Sequence, residues 1–157
     1  METRAVAHHP TPCDICARLE RLQAGTYPQL IHELPSGYFV LGDSQQFRGY
    51  ALLLCRWPAP DLEELPWSER LQFLRDLALC SQAVSDVLRP HKMNVESLGN
   101  VVPHLHFHLF PRQLEEREPH KPVWLLQHDE TPFDAARDAP LVAELRRCVA
   151  ELLREHA

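Results

Sequence analysis

Apolar positions along the chain follow two alternating periods, and their order outlines a fold. Ile15, Leu19 and Leu22 recur at helical spacing after Asp14, and Gly25 stands where a left-handed residue closes a helix, so a short helix is predicted over residues 14–24. Two extended runs, 29–34 and 37–41, flank a Pro35-Ser36 turn signal that suits antiparallel neighbours, and a third run, 49–55, is almost wholly apolar. Pro58, Pro60 and Pro66 then interrupt the pattern. The strongest helical signal follows, with Leu71, Leu74, Leu77, Ala78, Val84, Val87 and Leu88 on one stripe and Pro90 closing it. Residues 92–98 and 103–111 read as two more strands around Gly99-Asn100, and a proline-rich stretch, 119–140, leads to a last amphipathic helix with Leu141, Leu145, Val149 and Leu152 on its apolar face. Five strands, a long central helix and a helix near each end predict an α+β fold with a mainly antiparallel sheet.

Length and composition fit one ordinary domain. At 157 residues the chain can bury a single core without staples, so we expect a loose arm over 1–12 and one domain over 13–157, in which 113–157 extends past the strand at 103–111. The longest apolar run, Ala51–Cys55, is far too short to span a bilayer, and the first ten residues lack the apolar centre of an export signal. Five cysteines, an odd number, then argue for reduced thiols and a cytoplasmic location. A net charge of −6 disfavours nucleic acid as a partner, because sequence-independent binders neutralise many phosphates with clustered Lys and Arg. A small anionic ligand stays open.

The chemistry concentrates in His104-Leu105-His106-Phe107-His108-Leu109. Side chains on a strand alternate between faces, so strict alternation predicts all three histidines on one face, with Leu105, Phe107 and Leu109 buried on the other and fixing the register. Imidazoles roughly 7 Å apart along the strand could converge on one tetrahedral ligand, either a phosphate or a metal ion. The metal reading requires neutral rings with their remaining nitrogens held, plus a further ligand. In the phosphate reading one neutral ring attacks phosphorus while the others donate hydrogen bonds to its oxygens.

This run matches the His-φ-His-φ-His-φ-φ signature, φ being apolar, of the histidine triad (HIT) superfamily of nucleotide hydrolases and transferases. The chain resembles small bacterial members described as diadenosine polyphosphate hydrolase-like. The resemblance extends to Cys13-Asp14-Ile15-Cys16, to the glycine-led strand at 49–55 and to the approach at 94–103, covering about residues 13–112. It implies that His106 attacks the α-phosphate of a dinucleoside polyphosphate or nucleoside phosphoramidate, forming a nucleotidyl-histidine that water cleaves. His108 would then contact a phosphate oxygen or assist the leaving group, and His104 would support the pair. Asn94, Gly99 and Asn100 are implied ligand contacts, with Asp43 and Ser44 near the ribose. Similar proteins are homodimers.

Two positions depart from the family pattern. Tyr50 follows Gly49 where many members have histidine, and Pro58 stands where some members place a zinc-binding histidine. The resemblance thus implies no cofactor for catalysis, while Cys13, Cys16 and His104 match three ligands of a structural zinc site. Three ligands make a poor closed site, and His8, His9 or Asp61 are the substitutes at hand for a fourth. A non-catalytic nucleotide-binding module and a metal-binding protein built on the three histidines are the alternative functions.

Overall fold

The computed structural model describes residues 12–156. The expected arm at 1–12 therefore lies, but for Pro12, outside the described residues. Helix α1 spans Asp14–Gln23, and strands β1 (Leu30–Leu34), β2 (Gly37–Leu41) and β3 (Ala51–Cys55) follow; a short 3-10 turn leads to α2 (Trp67–Leu88). Strands β4 (Lys92–Glu96) and β5 (His106–Arg112), a second 3-10 turn at Val123–Leu125 and helix α3 (Ala135–Glu155) complete the chain. The strands form one antiparallel sheet in the order β1-β2-β3-β5-β4. This is the α+β arrangement expected from the hydrophobic pattern. None of the described helices is long and apolar enough to cross a membrane.

The helix ends follow local chemistry. After α1, Gly25 takes a positive φ of 70°, and the amides of Gly25 and Thr26 bond back to the Leu22 and Arg21 carbonyls, satisfying groups that a helix end otherwise leaves open. The third apolar run begins as a strand only at Ala51, because Gly49 (φ 88°) turns the chain and lies so close to Leu88 that a β-carbon there would sit 2.0 Å from its Cδ1. Helix α3 starts earlier than the proline-rich stretch suggests. The Asp134 side chain accepts the Arg137 amide, and the turns before Pro140 are already helical.

The sheet has two unlike faces. On one, Phe39, Leu41, Ala51, Leu53, Leu105 and Leu109 pack against α2 and α3 in the main core. On the other, Tyr38, Val40 and Leu54 pack under Ile15, Leu19 and Leu22 of α1. Helix α2 departs from the expected stripe. Its buried line is Phe73, Asp76, Cys80, Ala83 and Val84, while Leu71 (49 % exposed) and Leu74 (37 %) point outward beside Trp67 (68 %). Asp76 is buried because its carboxylate accepts the backbone amide and hydroxyl of Ser36 in the β1–β2 turn, a polar demand that periodicity does not register.

Candidate active site

Strand β5 presents His106, His108, Phe110 and Arg112 on the α1 face, and Leu105 and Leu109 belong to the core beneath. Across the ladder, Leu54 and Leu52 of β3 stand opposite His106 and His108, while Glu96 and Asn94 of β4 stand opposite His108 and Phe110. A cavity of about 310 Å³ opens above the two histidines, walled by α1 through Ile15 and Arg18 and by Asp43, Ser44 and Tyr50.

His104 does not share this cavity. Strand pairing begins at His106, not at Pro103, because His104 is folded back in a tight turn in which its amide bonds the Val102 carbonyl (2.8 Å). Its ring turns toward α1, with Nδ1 3.7 Å from Cys13 Sγ and 3.5 Å from Cys16 Sγ. The three imidazoles thus do not converge on one point. Two face each other over the cavity and the third serves a separate cluster.

The hydrogen bonds fix the protons. A carbonyl can only accept, so His106 Nδ1 carries a proton for the His104 oxygen at 2.6 Å, which leaves the lone pair on Nε2. That Nε2 lies 3.1 Å from His108 Nε2, and two lone pairs cannot face each other, so His108 donates through Nε2. Its Nδ1 then accepts from the Tyr50 hydroxyl at 2.7 Å. Tyr50 is held for this by stacking on Phe110, ring centres 4.1 Å apart and nearly parallel. Burial, then the neighbouring His106, lowers the His108 pKa to about 4, and burial also lowers that of His106 against the opposing pull of the His104 carbonyl. Both rings are therefore neutral near pH 7, and burial raises the Tyr50 hydroxyl well above its ordinary range, so it stays a donor.

The remaining expected residues divide. Asp43 and Ser44 line the histidine cavity; Asp43 accepts from Gln29 (2.7 Å) and pairs with Arg18, which itself bonds the Tyr27 hydroxyl (2.8 Å). Burial opposes ionisation of Asp43, but the Arg18 and Gln29 bonds prevail and hold its carboxyl below the usual range. Asn94 is on the histidine face but lines a different hollow, where its Oδ1 accepts from the buried Arg112 (3.0 Å). Gly99 (φ 68°) and Asn100 form the loop after β4 and line no cavity with the histidines among the described residues. Arg18 was not expected from the sequence. Its signal is its place inside the apolar stripe of α1, between Ile15 and Leu22, where a solvent-facing charge does not belong.

Cys13 Sγ, Cys16 Sγ and His104 Nδ1 lie within 4.8 Å of one another. Sulfur and nitrogen donors on a tetrahedral zinc ion are separated by about 3.6 Å, so the spacings fit. The tautomer fits as well. His104 Nε2 donates to the Cys55 carbonyl (2.8 Å), which turns the Nδ1 lone pair toward the sulfurs. Asp61 is not in this cluster, and His8 and His9 lie outside the described residues.

The HIT domain family model matches residues 25–115, well over half of the chain, and takes in the whole sheet. The chain belongs to the HIT family. Its fold is shared with a histidine triad protein of Marinobacter aquaeolei (27 % identity, TM-score 0.71, covering 85 % of this chain and 95 % of that one). A histidine triad protein of Bradyrhizobium japonicum is as similar (26 %, TM-score 0.70, 82 % and 94 %). The likeness to the Plasmodium falciparum diadenosine triphosphate hydrolase is one of fold (11 %, TM-score 0.61, 79 % and 78 %). No curated protein matches the chain. Within this HIT protein, Tyr50 occupies the position beside the third triad histidine and supplies its hydrogen-bond partner.

Proposed function

We propose that this HIT protein is a nucleotide hydrolase or nucleotidyltransferase acting on dinucleoside polyphosphates or nucleoside phosphoramidates. The observation that carries the reading is the directed chain Tyr50, His108, His106, His104 carbonyl, which leaves one neutral imidazole with its lone pair at the floor of a cavity. His106 Nε2 forms a bond to the α-phosphorus as the bond to the leaving oxygen or nitrogen breaks, and the leaving group departs with that electron pair. His108 Nε2–H shifts its hydrogen bond from His106 to a phosphoryl or leaving-group atom, offsetting the charge that develops there. Water then attacks phosphorus and releases His106. Asp43 faces the cavity where its carboxylate can accept ribose hydroxyls, with Ser44 beside it. Asn94, Gly99 and Asn100 contribute from the β4 side only through a ligand that extends beyond the cavity. The diadenosine triphosphate hydrolase activity carried by a neighbour of the same fold agrees with this reading.

His106→Ala should reduce turnover of diadenosine polyphosphates or adenosine phosphoramidate by at least ~10³-fold, the scale of losing a covalent nucleophile, with the melting transition retained. Turnover equal to the parent removes the reading. Tight nucleotide binding by a parent protein that hydrolyses none of these would point instead to a binding module.

Two accessory features belong to the same reading. Cys13, Cys16 and His104 hold a structural zinc ion, with no metal taking part in the chemistry. The exposed line Trp67, Leu71 and Leu74 on α2 packs against a second copy of the chain, which makes the working form a homodimer. The unpaired cysteines suit the reducing cytoplasm.

A further inference from the structure

The segment that crosses the β5 side of the sheet is anchored by Val123 and Leu126. Val123 is fully buried with Phe47 and Phe110, and Leu126 packs on the same cluster. Val123–Leu125 form a 3-10 turn, in which residues three apart share a face, so both anchors point inward and Trp124 is left to point elsewhere. Its indole stands edge-on to His108 (centres 5.3 Å apart, 78°) and to Phe110 (5.8 Å, 87°), with the His128 ring 6.3 Å away. Yet 46 % of its surface is exposed. The segment is held without it, and the largest side chain available has been set against His108.

The direction of attack gives this position a use. His106 Nε2 lies 3.1 Å from His108 Nε2, whose N–H passes to a phosphoryl or leaving-group atom once phosphorus arrives. In-line displacement keeps the leaving atom on the far side of phosphorus from His106, and the His108 donor draws that atom and the group beyond it to its own side of the cavity. Trp124 lies against His108 just beyond the cavity lining, while Arg18, Asp43 and Ser44 wall the cavity toward α1. The transferred nucleotide and the leaving group are thereby assigned to different walls.

Resting on the reading of His106 as the nucleotidyl acceptor, we infer that Trp124 is a leaving-group platform that stacks on a flat heterocycle. The favoured substrates are then those whose leaving group ends in a second nucleoside. A tryptophan face suits this because every base offers a π-surface, which makes the contact strong without making it base-specific.

Diadenosine tetraphosphate and adenosine 5′-tetraphosphate test the inference, since both can transfer the same adenylate but only the first leaves with an adenosine. In Trp124→Ala the ratio of their kcat/KM values should fall roughly tenfold toward the nucleoside-free leaving group, the scale of one lost base–aromatic stack. Trp124→Phe should restore most of the ratio. Equal losses on both substrates would mean that Trp124 only positions His108, and unchanged values for both would mean that nothing stacks there; either overturns the inference while leaving the nucleotidyl reading intact. A parent protein that cleaves neither these compounds nor adenosine phosphoramidate overturns that reading and this inference with it, whereas one that cleaves the phosphoramidate alone overturns this inference only. A melting curve for each variant separates misfolding from loss of the platform.

Discussion

His108 is enclosed by Tyr50, His106 and Trp124, with Glu96 opposite it across the ladder, and this surround decides its protonation. With its pKa lowered to about 4, the folded protein refuses a proton that the unfolded chain accepts near the ordinary value of 6.5. The sign follows. Above pH 6.5 both states are neutral at this ring; as pH falls toward about 4 the unfolded state gains a proton first, so His108 contributes a loss of stability on acidification across that window. Denaturant unfolding at steps between pH 7 and 4 should show a slope that becomes shallower in His108→Asn, and an identical slope would count against the depressed pKa. The residue-level reading from sequence succeeded where side-chain alternation alone sets direction, at His106 and His108. At His104 the face was right, since its ring also turns toward α1, but convergence on one ligand failed, because its amide turns back to the Val102 carbonyl and its Nε2 bonds the Cys55 carbonyl, which aims Nδ1 at Cys13 and Cys16. Arg18 and Trp124 were harder to read, since their roles depend on partners distant in sequence, Asp43 and His108.

At the scale of elements, the order of helices and strands was legible because each carries its own period and its own stop signal. Strand Gly37–Leu41 has the predicted bounds, and α1 ends within a residue of them. The buried side of α2 was not legible, because Leu71 and Leu74 are as apolar as the residues that do face the core, and the bond from Ser36 to Asp76 on the buried side is made with a residue 40 positions away. The start of α1 and the lead-in to β5 meet at the Cys13, Cys16 and His104 cluster, 88 to 91 residues apart in sequence. If zinc closes this junction, purified protein should contain about one equivalent by elemental analysis, and chelation should lower the melting temperature by several degrees through the loss of native-state binding. Metal below a tenth of an equivalent in protein purified without chelator would rule the clamp out.

The whole molecule is a sheet with a division of labour. One face holds the main core against α2 and α3, and the other holds the histidines between α1 and the Trp124 segment. The outward line of α2 runs Trp67, Leu71, Leu74 and Ala78, the spacing of a helix stripe that expects a partner, and β4 lies at the sheet edge. Sedimentation should find a dimer, and Leu71→Glu should shift it toward monomer by placing a charge in the contact. A parent protein that is monomeric at high micromolar concentration excludes the assembly. The pairing of β3 with β5 follows from no local stretch and lay beyond a sequence reading, whereas the alternation from His104 to Leu109 already gave that strand two unlike faces. The separation of the faces has a further consequence for how such a chain changes over generations. The main core against α2 and α3 and the lining of the histidine cavity share strands but not side chains, so the loop around Asp43 and the Trp124 segment form a rewritable surface on a fixed support that α1 helps to pin. New ligands can be accommodated there by exchanging a few side chains while the core beneath is inherited unchanged.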